Sequence, residues 1–235
     1  MSTLHDAVDD LASGSIIALI PAYNAGPFVH EVVRKARQHL PVLVVNDGSL
    51  DDTAHKAETA GAILLNQLPN QGKGAALQLG FRWALEHGAT AVLALDADGQ
   101  HDPAEIPKFI AKFRQTGADL IIGERDFSQM PLVRRVSNSL ARKSFSWAMG
   151  QEVRDNQSGY RLLSRRLLEA VLASDEQGFE FEMDMIVTVV RNHWKLDWVP
   201  IRTIYADEVS NIKPLQHAAH FFRMVWSARR QLRAA

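Results

Sequence analysis

The stretch AVLALDADGQHDP, residues 91–103, decides how the rest of the chain is read. The apolar run 91–95 is short and bounded by polar residues, which predicts a buried strand. It leads directly into Asp96-Ala97-Asp98-Gly99-Gln100. Two carboxylates one residue apart, at the end of a buried strand, are costly to place without a counter-charge. A divalent cation supplies one, and oxygen ligands of this kind suit magnesium or manganese. Gln100 offers a further, neutral oxygen. The plainer alternative is that Asp96 and Asp98 shape a turn or cap the next helix. Asp102 and Pro103 supply an N-cap and a first helical position for a helix expected over 102–115.

Working outward, the same pattern recurs. Strands are expected over 15–20, closed by Pro21, over 42–46, closed by Asp47-Gly48-Ser49, and over 62–65 and 119–123. Helices are expected over 26–40, 50–60 and 73–87. Continuous apolar strands separated by helices predict a mostly parallel sheet with helices on both faces. Ligands of open parallel sheets bind beyond the carboxyl ends of the strands. Those ends carry Pro21-Ala22-Tyr23-Asn24, Asn46-Asp47 and the Asp96–Gln100 loop. Asn70-Gln71-Gly72-Lys73-Gly74 opens the 73–87 helix, where backbone N–H groups and one ammonium suit an anion. A glycine-bearing turn explains the same residues, and the spacing of a Walker loop is absent. Beyond 123 the chain reads as a helix over 131–150, a turn or short strand at 157–161, a helix over 179–193, a strand over 196–201 and an amphipathic tail over 214–235. No linker or repeat divides it, so 1–235 is expected to form one domain.

Composition narrows the function. With 26 Lys and Arg against 27 Asp and Glu, the net charge is −1, which argues against nucleic acid as a partner. There is no cysteine, so disulfides and thiolate chemistry are excluded and a reducing cytoplasm is expected. The first 14 residues are polar and acidic, unlike a secretory signal. No apolar run approaches the ~20 residues that span a bilayer. The tail places Phe221, Phe222, Met224, Val225 and Trp226 beside Arg223, Arg229, Arg230 and Arg233. That mixture fits an interfacial helix at the cytoplasmic membrane face. A helix packed on the domain, or on a second copy in a homo-oligomer, fits equally well.

Nine segments, IPAYNAG, VLVVNDGSLDDT, NQGKGAALQLGF, LALDADGQHDP, ADLIIGER, RRVSNSLAR, DNQSGYRLLSR, GFEFEMDM and VPIRTIY, occur in an order that resembles the family 2 glycosyltransferases. The resemblance runs from about residue 16 to 214 and is strongest to the dolichyl-phosphate mannosyltransferase, or polyprenyl-phosphate glycosyltransferase, branch. It implies the GT-A (nucleotide-diphospho-sugar transferase) fold, a Rossmann-like mostly parallel sheet with helices on both faces. It also implies Mg2+ or Mn2+ as cofactor, a nucleotide-diphosphate sugar of the GDP-mannose or UDP-glucose type as donor, and a polyprenyl phosphate as acceptor. Residues 15–123 would then bind the donor and 124–213 the acceptor.

Residue by residue, Pro21, Ala22, Tyr23, Asn24, Asn46, Asp47, Lys73, Asp96, Ala97 and Lys213 match donor-binding positions. Asp96, Asp98 and Gln100 match the metal positions, with Asp98 and Arg125 at the reacting centre. Arg134, Asn138, Ser158 and Arg161 match acceptor positions. Two departures stand out: Asn46 where the family often has an acid, and Ala25 where it usually has Glu. Both remove a carboxylate near the nucleoside. The resemblance implies inversion by direct displacement. A phosphate acceptor needs no general base, whereas a hydroxyl acceptor does. Asp155, Glu182 and Asp184 are then the candidates, although Glu180, Glu182 and Asp184 also read as a solvated helix face. The competing functions are transfer to a hydroxyl of a soluble glycan, nucleotidyl transfer, for which PAYNAG is a poor match, and an inactive nucleotide-sugar-binding protein.

Overall fold

The computed structural model describes residues 14–126, 132–173, 180–202 and, in the tail, 225, 226, 229, 230 and 232. Seven strands form one sheet: β1 (Ile16–Ala22), β2 (Val42–Asp47), β3 (Ile63–Gln67), β4 (Ala91–Ala94), β5 (Leu120–Arg125), β6 (Arg161–Ser164) and β7 (Leu196–Ile201). Their spatial order is β3-β2-β1-β4-β6-β5-β7. The helices are α1 (Val29–Ala36), α2 (Thr53–Thr59), α3 (Lys73–Glu86), α4 (Ile106–Thr116), α5 (Leu132–Met149), α6 (Arg165–Leu172) and α7 (Glu180–Arg191). Among the described residues, no helix is long and apolar enough to cross a membrane.

Strand alternation divides the core in two. Ile17, Leu19, Leu43, Val45, Val92 and Ile122 point to the face covered by α3, α5, α6 and α7. Ala18, Ile20, Val42, Val44, Leu93 and Ile121 point to the face covered by α1, α2 and α4. Because both faces are covered, the strands read as unbroken apolar runs rather than as alternating ones.

The structure corrects three expectations. Pro21 does not close β1; it lies inside the strand, opposite Val45 of β2. Ala18 N–H donates toward the β2 side and Leu19 O accepts from the β4 side, at Leu95 N. Pro21 therefore faces the β4 side, where β4 has already ended, and no ladder bond is lost. The 102–115 helix opens as a 3-10 turn, Pro103–Glu105, with Asp102 Oδ1 accepting from Ala104 N at 3.0 Å. Helix α6, capped by Ser164, was not anticipated, since only Ser164-Arg165-Arg166 separates the apolar pair of β6 from its first leucines.

β6 is antiparallel to both of its neighbours, β4 and β5. That reversal positions the site. The beginning of an antiparallel strand lies at the edge where its parallel neighbours end, and Arg161 pairs with Ala94 on one side and Ile122 on the other. The segment 155–160 is thereby delivered to the carboxyl ends of β4 and β5.

Candidate active site at the carboxyl ends of the strands

On the β1–β2 side the loops are tied by hydrogen bonds. Asp47, 3% exposed, accepts from Gln71 N, Gly72 N and Gln67 Nε2, each at 2.8 Å. Its carboxylate thus fixes the NQGKG turn that starts α3. Gly48 sits at φ +70° with Asn70 N only 2.6 Å from where a Cβ would stand, so a side chain is excluded there. Asn24, at φ +48°, accepts from Leu50 N at 2.9 Å, and its own N–H donates to Ser49 Oγ at 3.0 Å. Asn46 is buried, accepts from Ser49 N and donates to Asn66 Oδ1 at 2.8 Å. Ala22 ends β1 one residue after Pro21, and Tyr23, which follows it, is 51% exposed.

On the β4 side, charge does the organising. Lys73 Nζ lies 2.5 Å from Asp96 Oδ1 and 3.1 Å from Glu182 Oε1, joining α3, the β4 loop and α7. Burial opposes ionisation of Asp96, but Lys73 first, and then His101 and Arg125, together hold the carboxyl below the usual range. Burial likewise opposes the charged form of Lys73, and Asp96 and Glu182 overcome it, raising its pKa. A Cβ on Gly159 would stand 2.7 Å from Asp96 Oδ2 and 2.9 Å from Lys73 Nζ, so a side chain there would push against this ion pair. His101 is buried, and its Nδ1 accepts from Asp96 N at 3.2 Å. Burial lowers its pKa, so the ring is neutral with its proton on Nε2. Asp98 and Gln100 are half-buried on the same loop, and Asp98 Oδ1 accepts from Gln100 N at 2.9 Å. Ala97, between Asp96 and Asp98, is buried.

Arg125, at the end of β5, makes a two-pronged ion pair with Asp155: Nε to Oδ2 at 2.7 Å and Nη2 to Oδ1 at 3.0 Å. Asp155 is 1% exposed and also accepts from Gln157 N and Ser158 N. Arg161 and Ser158, which match acceptor positions, are both buried. Arg161 is fully buried, donating to the carbonyls of Ser158, Asn156 and Glu182. Ser158 is buried beneath it and accepts through its carbonyl. A guanidinium shared among three carbonyls holds the 155–161 loop to α7, which is a positioning task. Asn138 is half-buried on α5. Lys213 and the side chain of Arg134 lie outside the described residues. Sequence reading missed His101, Gly159 and the pairing of Glu182 with Lys73. His101 and Gly159 were inside quoted motifs, but only three-dimensional proximity gives them roles.

Set beside known proteins, this edge has a family. The model for glycosyl transferase family 2 matches residues 17–172. The chain belongs to that family. It is similar to an undecaprenyl-phosphate mannosyltransferase of Micrococcus luteus, 32% identical over 204 residues, covering 79% of this chain and 82% of the relative. It is also similar to a UDP-N-acetylglucosamine–dolichyl-phosphate N-acetylglucosaminyltransferase of Methanococcus voltae, 29% identical over 224 residues, covering 84% and 88%. Its fold is that of glucosyl-3-phosphoglycerate synthase from Mycobacterium tuberculosis, solved with Mn2+, uridine diphosphate and phosphoglyceric acid. The TM-score is 0.71 at 19% identity, covering 96% of this chain and 81% of that one. The GT-A fold and a glycosyltransferase activity follow from the family and this match.

Proposed function

We propose that this family 2 glycosyltransferase moves a hexose, with inversion, from a nucleoside-diphosphate sugar to the phosphate of a polyprenol or dolichol. The relatives of similar length support an acceptor of that class. One structural observation favours a phosphate over a hydroxyl. A hydroxyl must lose a proton to a base as it attacks, whereas a phosphate is already an anion. Asp155 is held by Arg125, and Glu182 by Lys73. Two of the three carboxylates available for that task are thus each neutralised by a cation.

The donor set fits a divalent ion. Asp98 and Gln100 would hold it, with Asp96 beside them, and all three present oxygen. Among the described residues no cluster of three or more His, Asp or Glu side chains could hold a metal by itself. Mg2+ binds in that manner, through one or two carboxylates completed by substrate phosphates. When bound, such an ion neutralises charge growing on the departing nucleoside diphosphate. Arg125, locked at the end of β5, presents a fixed positive charge beside the loops of β4 and β6, and Lys73 holds Asp96 in place.

Incubating the enzyme with Mn2+, a panel of GDP- and UDP-sugars and either undecaprenyl or dolichyl phosphate should give one organic-extractable glycolipid, abolished by chelation. Sugar transfer confined to soluble hydroxyl acceptors would overturn the reading.

A further inference from the structure

A cation-rich aromatic face is shared by α5 and the tail. On α5, Leu140, Lys143 and Trp147 succeed one another at helical spacing, and Leu140 and Trp147 are 56% and 50% exposed. The tail adds Trp226, 63% exposed, whose ring stands edge-on to Trp147 at 6.1 Å. Val225 beside it is buried in the core, so this part of the tail is docked on the domain. Arg229 lies 3.7 Å over the Trp147 ring and donates to the Trp147 carbonyl at 2.5 Å. Between Trp147, Trp226, Val225, Lys143 and Ser144 runs an apolar groove.

Charge says what covers this face. The chain as a whole is almost balanced, with 26 basic and 27 acidic residues. Helix α5 nevertheless carries Arg134, Arg135, Arg142 and Lys143 and no acid, and no acid follows Glu208 in the tail, which carries Arg223, Arg229, Arg230 and Arg233. A second copy would bring the same positive charge to the contact and repel. An anionic lipid surface is complementary, and tryptophan with flanking Lys and Arg is the composition that settles at the headgroup level.

We propose that the face formed by Leu140, Lys143 and Trp147 of α5 with Trp226, Arg229 and Arg230 of the tail docks on an anionic bilayer. This rests on the lipid-acceptor reading, and it explains how a chain without a described membrane-crossing helix meets that acceptor. The geometry is consistent along one helix. Arg134 and Asn138, which match acceptor positions, lie on the same helix as Trp147, within about 20 Å at 1.5 Å per residue.

The test is co-sedimentation of the full chain with phosphatidylcholine vesicles, with and without phosphatidylglycerol. Binding should require the anionic lipid and weaken with salt. Replacing Lys143 by Glu should weaken it by more than the roughly fivefold expected for one neutralised charge. Trp226→Ala, at the most exposed aromatic, and Leu140→Glu should each weaken it several-fold with thermal unfolding unchanged. All three variants should still glycosylate a short, water-soluble isoprenyl phosphate at the wild-type rate. Equal binding to neutral and anionic vesicles, or variants that bind like wild type, would overturn the docking face. Variants that keep vesicle binding but dissolve a dimer in analytical ultracentrifugation would overturn it too, assigning the face to a second copy. Failure of the wild type to use the soluble isoprenyl phosphate would instead sink the acceptor reading and leave the vesicle result standing.

Discussion

Asp47 and Asp155 are the same residue type, equally buried, at the same edge of the sheet, yet they organise their surroundings differently. Asp47 is 3% exposed and accepts only from neutral groups: two backbone N–H groups and one amide side chain. Asp155 is 1% exposed and accepts from three backbone N–H groups, those of Arg125, Gln157 and Ser158, and from a guanidinium. Around Asp47 the β1–β2 side is built in the first manner, with one exposed ion pair, Lys56–Asp52, at its rim, and the β4–β6–β5 side in the second, with Lys73 between Asp96 and Glu182 and Arg161 among three carbonyls. A hydrogen-bonded loop can lose one partner and keep the rest. A buried ion pair that loses one member leaves a charge without compensation. The side where charge would develop during transfer is therefore the side where single changes should cost most.

The largest effect expected is on turnover. Asp98 is half-buried on the loop after β4, where its Oδ1 accepts from Gln100 N. Asp98→Ala should lower turnover about a thousandfold or more, as expected when a metal's stabilisation of several kcal/mol is lost. Thermal unfolding should stay within a degree or two of wild type. Retained metal-dependent turnover would show that the ion is held elsewhere.

Next comes the direct test of the contrast. Asp155→Asn keeps the shape but leaves Arg125 without its anion, and should cost about 3 kcal/mol in chemical denaturation. Asp47→Asn presents an amide N–H to groups that are all donors, and should cost about 2 kcal/mol. Combining Asp155→Asn with Arg125→Gln should recover part of the loss, because the second change removes the orphaned charge. If Asp47→Asn proves as costly as Asp155→Asn, or the double variant is no better than the single, the cation is not what distinguishes the two sides.

Much of this edge was readable in the chain. The strand ends carry polar residues where the ladder stops, and that local signal placed Asp47, Asp96, Asp98 and Gln100 on loops beyond β2 and β4. The strand over 196–201 was found with its observed bounds, because a tryptophan-bearing apolar run between polar residues is locally unambiguous. The ion pairs were not readable. Lys73 and Glu182 are over a hundred residues apart, and Arg125 and Asp155 are thirty, so neither periodicity nor spacing reports their contact. Asp155 and Glu182 therefore read as candidate bases until the structure placed a cation on each. Arg161 read as an acceptor contact because the DNQSGYR segment matches an acceptor-side motif of the family. Its burial follows from the antiparallel direction of β6, which four residues of sequence do not disclose.

The smallest effect belongs to the hydrogen-bonded side and asks how that side is held. Asn24 contributes in two separable ways: a left-handed backbone at φ +48°, and a side chain that accepts from Leu50 N. Asn24→Gly removes the amide but tolerates the backbone angle. Asn24→Ala removes the amide and also pays the steric cost of a Cβ in the left-handed region, about 1 kcal/mol. Glycine should therefore be the milder substitution despite its greater freedom in the unfolded chain, and the gap between the two variants in denaturant unfolding measures the backbone contribution alone. If alanine is as well tolerated as glycine, the 22–26 turn has relaxed to another conformation. Donor affinity, read by titration with a nucleoside diphosphate and Mn2+, should then fall in the alanine variant though its stability does not, which would make this loop adaptable where the ion-paired side is not.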